Sequence, residues 1–148
     1  MLEGLNAMHK QGFCHRSVKP ENIKMIQFDA ASSTPLIQLV NSEFATPLEG
    51  YDYSTKNMTL GHRFFISPEM VKKETHDSAT DIWALGITAY YLLTYGKCPF
   101  RGPSINVIDD RILNNEPDFR LVPFQQRPKA IEFIKRCLSK DKEQRPSA

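Results

Sequence analysis

Apolar residues along the chain fall first into a helical period and then into strand-like runs. Leu2, Leu5 and Met8 recur every three residues ahead of Gly12, which predicts a short helix stopped by the glycine. No capping residue precedes Leu2, so the pattern also predicts a further segment upstream. Two short runs rich in Ile, Leu and Val, Ile23 to Phe28 and Leu36 to Val40, read as strands. The small, polar connector from Asp29 to Pro35 joins them as a β-hairpin with a long loop. From Asn41 to Glu69 no period is sustained, and Pro47, Gly50, Gly61 and Pro68 punctuate the segment. So long an irregular stretch in a small domain points to function or disorder. Helices dominate afterwards. Ser78 with Asp81 three positions on reads as a capping box. Ile82, Leu85, Ile87, Tyr90, Leu92 and Leu93 then cover most of the circumference, the mark of a buried helix. Ser104 precedes a further helix carrying Ile105, Val107, Ile108, Ile112 and Leu113. Ala130, Ile131, Phe133, Ile134, Cys137 and Leu138 form a cleaner amphipathic stripe. The expected fold class is mostly α (α+β), one short β-hairpin followed by several helices, with no internal repeat.

Composition narrows the function classes. The 148 residues fit a single domain, and 41% hydrophobic with 24% charged residues is a balance that can bury a core. Nineteen Lys+Arg against seventeen Asp+Glu leave a net charge of +2, and no run of five like charges occurs. A nucleic-acid stripe or a polybasic membrane patch therefore has no support. Cys14, Cys98 and Cys137 include no C-x-x-C pair, which argues against a disulfide framework or a zinc cluster and fits a reducing compartment. The longest apolar stretch, Ile82 to Leu93, falls short of the ~20 residues that cross a bilayer. The first residues lack the basic start and apolar run of a signal peptide. These features predict a soluble, intracellular (cytoplasmic) domain with neither nucleic acid nor membrane as partner.

The informative run is His15-Arg16-Ser17-Val18-Lys19-Pro20-Glu21-Asn22. It resembles the catalytic loop of protein kinases, H-R-D-L-K-P-E-N. Further marks follow in family order. Ser67-Pro68-Glu69 resembles the A-P-E closing the activation segment, and Asp81-Ile82-Trp83-Ala84-Leu85-Gly86 the D-x-W-x-x-G opening the buried central helix. Cys98-Pro99-Phe100 resembles the x-P-F after that helix, and Arg145-Pro146-Ser147-Ala148 the R-x-S-A near the end of a kinase domain. The resemblance runs over residues 1–148 and covers the C-terminal helical lobe of the kinase fold. The polar hairpin loop and the Lys-Pro-Glu-Asn are most similar to calcium/calmodulin-dependent and calcium-dependent Ser/Thr kinases.

What the resemblance implies differs from position to position. The family's catalytic Asp accepts the substrate hydroxyl proton. Ser17 stands there, and a serine hydroxyl is no useful base at neutral pH. Where the family has the magnesium-holding Asp of Asp-Phe-Gly, this chain has Asn41-Ser42-Glu43. Asn41 offers a carbonyl oxygen without charge, Ser42 cannot fill the pocket of the Phe, and Glu43 replaces a permissive glycine. His62 stands after Gly61 where a Thr is usual. The Gly-rich phosphate loop, the strand lysine and its helix glutamate are not in this sequence. Lys19 and Asn22 keep the family's phosphate and second-magnesium residue types, and Glu21 resembles the acid that reads a basic residue in a peptide substrate. Glu69 and Arg145 resemble a buried ion pair, Asp81 the acid that accepts backbone N–H groups of the loop, and Trp83 a core residue. His15 reads as structural. Arg16 reads as a docking point for a phosphorylated Ser54, Thr55 or Thr59.

Taken without the motif, the same residues have plainer readings. His9, His62 and His76 lack ligand spacing and read as surface or packing residues. The cysteines read as small hydrophobes, and Asp141-Lys142-Glu143 as an exposed polar turn. Three functions stay open. The first is a pseudokinase lobe without phosphotransferase activity, acting through a protein partner. The second is a piece of an ATP-dependent Ser/Thr kinase whose N-lobe is supplied elsewhere. The third is a truncated or decayed kinase gene product. No cofactor is expected of the chain by itself, with ATP and Mg²⁺ only if the N-lobe is supplied, and a protein partner or that N-lobe is expected to cover apolar surface.

Overall fold

The computed structural model describes residues 2–29, 34–48, 63–75, 77–121 and 124–148. Helix α1, Leu2–Lys10, buries Leu5 and ends before Gly12, whose φ of 80° lies in the left-handed region glycine enters without strain. Strand β1, Phe13–Cys14, follows, then the loop with a 3₁₀ turn at Pro20–Asn22. Strands β2, Ile23–Asp29, and β3, Thr34–Leu39, form the expected antiparallel hairpin, with Ile23 opposite Leu39 and a register shift between Met25 and Gln27. A second ladder pairs β1 with β4, Thr46–Pro47. Two residues per strand are too few to alternate, so the sequence carries no signal for it.

Four helices complete the chain: α2, Pro68–Lys72; α3, Ala79–Leu93; α4, Ile105–Asn114; and α5, Pro128–Cys137. The all-round apolar character of α3 has the predicted consequence. Residues from Thr80 to Thr88 are buried, and Tyr90 with them. Trp83 and Ile87 of α3 pack with Ile108 and Ile112 of α4, Ile134 of α5, and the loop residues Phe100 and Phe124. A smaller cluster joins Leu5, Val18, Ala84 and Leu85, and seats the motif loop on the same helix. Each large apolar side chain buried this fully contributes roughly 1.5–3 kcal/mol.

One element start corrects the sequence reading. Ser78 is not a cap, because its backbone is already helical at φ −57° and ψ −23°, and a capping residue needs an extended backbone. Asp77 does that work, its Oδ1 accepting from the Ala79 N–H at 2.8 Å. Asp81 is consequently not the acid of a capping box; its carboxylate is engaged elsewhere. Ser104 does cap α4, accepting from the Val107 N–H, and Pro128 at the first position starts α5 two residues before the apolar stripe. The candidate residues Ser54, Thr55, Thr59, Gly61, His62 and His76 lie outside the described residues. No helix among the described residues is long and apolar enough to cross a membrane.

Helices α3 and α5 approach closely at Gly86. A Cβ there would stand 2.7 Å from the Cys137 Cβ and 2.9 Å from a Leu138 methyl. Gly86→Ala is expected to cost roughly 1–3 kcal/mol of unfolding free energy, measurable by urea titration. An unchanged midpoint would mean that α5 slides to accommodate the methyl.

Candidate functional site

The motif loop leaves β1 and crosses the face of α3 that carries Asp81, Leu85 and Thr88, residues one and two turns apart. Asp81 is fully buried and accepts three hydrogen bonds: from the His15 N–H and the Arg16 N–H, both at 2.7 Å, and from His9 Nε2 at 2.9 Å. A buried carboxylate needs such donors to offset its lost hydration. Two turns along, the Thr88 hydroxyl donates to the Val18 carbonyl at 3.1 Å. Helix α3 thus holds the loop at both ends. The clamp carries Arg16 at φ 62°, an uncommon conformation for a non-glycine residue. His9 is a participant that the sequence reading left as a packing residue. It sits one helix away from the motif, and nothing in its spacing marks it.

His15 is buried, and its Nδ1 accepts from the Ser17 N–H at 3.2 Å, a structural role. Burial lowers its pKa, while the Asp81 carboxylate and the Val40 backbone act in the other direction. The buried cysteines Cys14 and Cys137 are pushed up to about 12 by desolvation, and Cys98 to about 11, which fits small hydrophobes and not reactive thiols.

Ser17, Asn22 and Asn41 meet in one chain of hydrogen bonds. The Asn22 amide nitrogen donates to the Ser17 carbonyl at 2.8 Å and to the Ser17 hydroxyl at 2.7 Å. The carbonyl can only accept, so the orientation of the Asn22 amide is determined: its oxygen faces away, toward Asn41. Asn41 Nδ2 donates to that oxygen at 2.9 Å. Asn41 adopts φ 62° and ψ 57°, a left-handed conformation that asparagine tolerates, and starts the 3₁₀ turn Ser42–Phe44. The residue needing backbone freedom here is therefore Asn41, while Glu43 lies within the turn without a positive φ and with its side chain in solvent. Ser42 is exposed as well. Arg16, Ser17 and Lys19 face a narrow cleft shared with Phe65 and Ile66, and Glu21 is exposed beside the loop.

A second cluster gathers around the start of α3. Arg145 makes a bidentate pair with Glu69, both bonds 2.8 Å, and also donates to the carbonyls of Ala79 at 3.0 Å and Ser139 at 2.9 Å. Thr80 donates to Glu69 at 3.1 Å. Burial pushes the Glu69 carboxyl up, but the Arg145 guanidinium more than offsets this and holds it below the ordinary carboxylate value. Asp77 behaves alike, with Lys142 at 2.8 Å as the lowering partner, so the turn at Asp141-Lys142-Glu143 is tied to the α3 start and not merely solvated. Trp83 is fully buried, stacks on Phe100 with centroids 5.7 Å apart, and lies 5.1 Å from the Arg145 guanidinium. Lys140 completes the cluster. Its Nζ lies 4.2 Å from the Phe100 centroid and 5.1 Å from that of Trp83, and donates to the Ile112 carbonyl at 2.7 Å. Burial lowers its pKa to about 8.

A protein kinase domain family model matches residues 1–148. Among individual proteins, CDPK-related kinase 7 of Arabidopsis thaliana is 33% identical over 141 residues, 95% of this chain and 23% of that protein. Calcium-dependent protein kinase 6 of Plasmodium berghei is 29% identical over 95% of the chain and 9% of its own length. MAP3K epsilon protein kinase 1 of Arabidopsis thaliana is 31% identical over the whole chain and 10% of its own length. The chain thus spans less than a quarter of the length of these relatives.

Two outcomes are expected of the two clusters. Asp81→Asn turns one acceptor oxygen into a donor facing other donors. It is expected to cost about 1–3 kcal/mol, measured by chemical denaturation. The second concerns pH. Glu69 and Asp77 sit below their unfolded values of 4.5 and 3.8, so their stabilisation is present above those values and is lost as pH falls. His15 sits below 6.5, so the unfolded chain takes its proton first and stability already declines below pH 6.5. A urea-midpoint series from neutral pH downward is expected to fall gently from 6.5 and more steeply below 4.5. A flat profile would mean that neither cluster titrates with folding.

Proposed function

This chain belongs to the protein kinase domain family, and from that premise we propose that its loop no longer transfers phosphate and that it works by holding another polypeptide. The observation that carries the proposal is the Ser17–Asn22–Asn41 chain of hydrogen bonds. Phosphoryl transfer in this family relies on a carboxylate that takes the substrate proton and on carboxylate and amide oxygens that hold Mg²⁺ against the phosphates. Here the three positions are neutral. The one amide oxygen kept from the family pattern, Asn22 Oδ1, is already occupied by the Asn41 amide. A hard cation prefers charged oxygen donors, so these residues do not fit Mg²⁺. Loss of a general base alone typically slows a reaction by ~10²–10⁴. Among the described residues no other group of His, Cys, Asp or Glu side chains is placed to take over the metal.

The binding half of the proposal rests on the hairpin. Met25, Ile26 and Phe28 of β2 and Leu36 of β3 are 65%, 55%, 58% and 59% exposed. Met25 stands opposite Ile37 and shares its face, and the neighbouring Leu36 points to the other face, so Met25 and Leu36 leave apolar surface on both sides of a two-stranded sheet. Such surface is kept where a partner covers it, and a protein partner or an N-lobe is the cover the fold expects.

The test is a thermal-shift titration of the chain with ATP, with and without Mg²⁺, followed by a phosphotransfer assay. Neither a magnesium-dependent shift nor transfer is expected. The double variant Ser17→Asp with Asn41→Asp restores two carboxylates and frees Asn22 Oδ1, and it is expected to gain Mg²⁺ or Mn²⁺ binding by calorimetry. A magnesium-dependent shift of the unaltered chain would instead favour the second reading, a piece of an ATP-dependent Ser/Thr kinase, for which the retained Lys19 and Asn22 already speak.

A further inference from the structure

A cavity of about 590 Å³ opens at the C-terminal end of α3, lined by Tyr95, Lys97, Leu121, Gln125 and Arg127 among others. It shares no lining residue with the motif loop, and it falls within the size range of ligand sites. Three features of it are unusual for plain surface.

The first is Tyr95. Its backbone is left-handed at φ 54°, which a bulky residue rarely adopts, and its side chain is 87% exposed. The turn that imposes this geometry is rigid. The buried Thr94 hydroxyl shares its one proton between the Tyr90 carbonyl at 2.7 Å and the Lys97 carbonyl at 3.0 Å, and the Gly96 N–H donates to the Tyr91 carbonyl at 2.9 Å. A strained, solvated aromatic on a rigid turn gains nothing from packing within the chain, and strain of this kind clusters at binding sites.

The second feature is charge. Lys97 and Arg127 both line the cavity, both are exposed, and no Asp or Glu is among its described lining residues. Neither cation belongs to an ion pair among the described residues. The third is apolar surface. Leu121 contributes to the lining, and Leu92, whose carbonyl accepts from the Tyr95 N–H, is itself 56% exposed. Tyrosine and arginine around an apolar floor are the residue types that carry binding energy in protein interfaces.

We propose that this cavity docks an acidic segment of a partner protein. Leucine- or phenylalanine-type side chains of the segment enter over Leu121 and against the Tyr95 ring, and its carboxylates meet Lys97 and Arg127. The site stands apart from the loop chemistry and does not depend on whether the loop is active.

The experiment is fluorescence anisotropy with the whole chain at low ionic strength. The probe is a labelled octapeptide of alternating Glu and Leu, and the control carries Lys in place of each Glu. Saturable binding of the acidic peptide, weakening as salt is raised, is expected. Lys97→Glu with Arg127→Glu, and separately Tyr95→Gly, are each expected to weaken it about 10-fold or more. Glycine suits the left-handed backbone at residue 95, so that variant keeps the turn and its loss of binding reports the ring. Absence of saturation, equal affinity for the Lys peptide, or variants that bind like the original chain would each overturn the proposal. Binding of laurate without binding of the acidic peptide would assign the cavity to a lipid anion and overturn it equally.

Discussion

The carboxylate of Asp81, fully buried on α3, is the constraint on which the rest of the site depends. It accepts the N–H groups of His15 and Arg16 and a ring N–H of His9, so α1 and the motif loop are both tied to one pair of oxygens on a helix far along the sequence. A charge in that position is tolerable only when all its donors are present, which makes the loop path and the helix mutually dependent. The left-handed backbone at Arg16 follows from the same geometry, because both N–H groups must turn toward one carboxylate. With the first residues of the loop pinned there and Val18 held by Thr88, Ser17 and Asn22 are close enough to bond directly.

The start of α3 is organised by a second buried charge pair with its own donors and acceptors. Glu69 and Arg145 pair bidentately, and two further guanidinium N–H groups donate to the main-chain carbonyls of Ala79 and Ser139. Around this pair Trp83, Phe100 and Lys140 form a stack in which an ammonium lies over two aromatic faces. A buried pair of this sort is weak evidence of stability by itself, whereas removing one partner leaves the other charged in a dry site. Together with the Asp81 cluster, this pair ties the helices of the family's architecture to one another.

Asp81, Glu69 and Arg145 hold the loop and helix ends through the bonds described above, while Ser17, Asn22 and Asn41 form a neutral set bonded to one another. On the proposed reading, a set matched internally in this way has little left to offer a hydrated cation. The surface offers two other features: the exposed apolar side chains of the hairpin and, at the C-terminal end of α3, a cationic cavity rimmed by a strained tyrosine. Both are the features on which the proposed binding of a polypeptide rests.

Much of this was legible in the residues alone. The all-round apolar character of α3 announced a buried helix, the hairpin followed from two short apolar runs, and the motif loop with Glu69, Asp81 and Arg145 carried the family resemblance. Local rules failed where a local and a distant partner competed. Ser78 with Asp81 has the pattern of a capping box, yet Asp81 serves the loop 65 residues away and Asp77 caps the helix. His9, Lys140 and Tyr95 gave no sign, because a histidine on a helix, a lysine near the chain end and a tyrosine after a helix are ordinary until packing sets their neighbours. The sequence by itself determined the element types and the chemistry available at each position, since periodicity and side-chain type are local properties. Only the tertiary structure decided that Asn41 closes onto Asn22, that His9 completes Asp81, and that Lys97 and Arg127 face one cavity. Those outcomes depend on which distant groups the packed core brings within bonding reach.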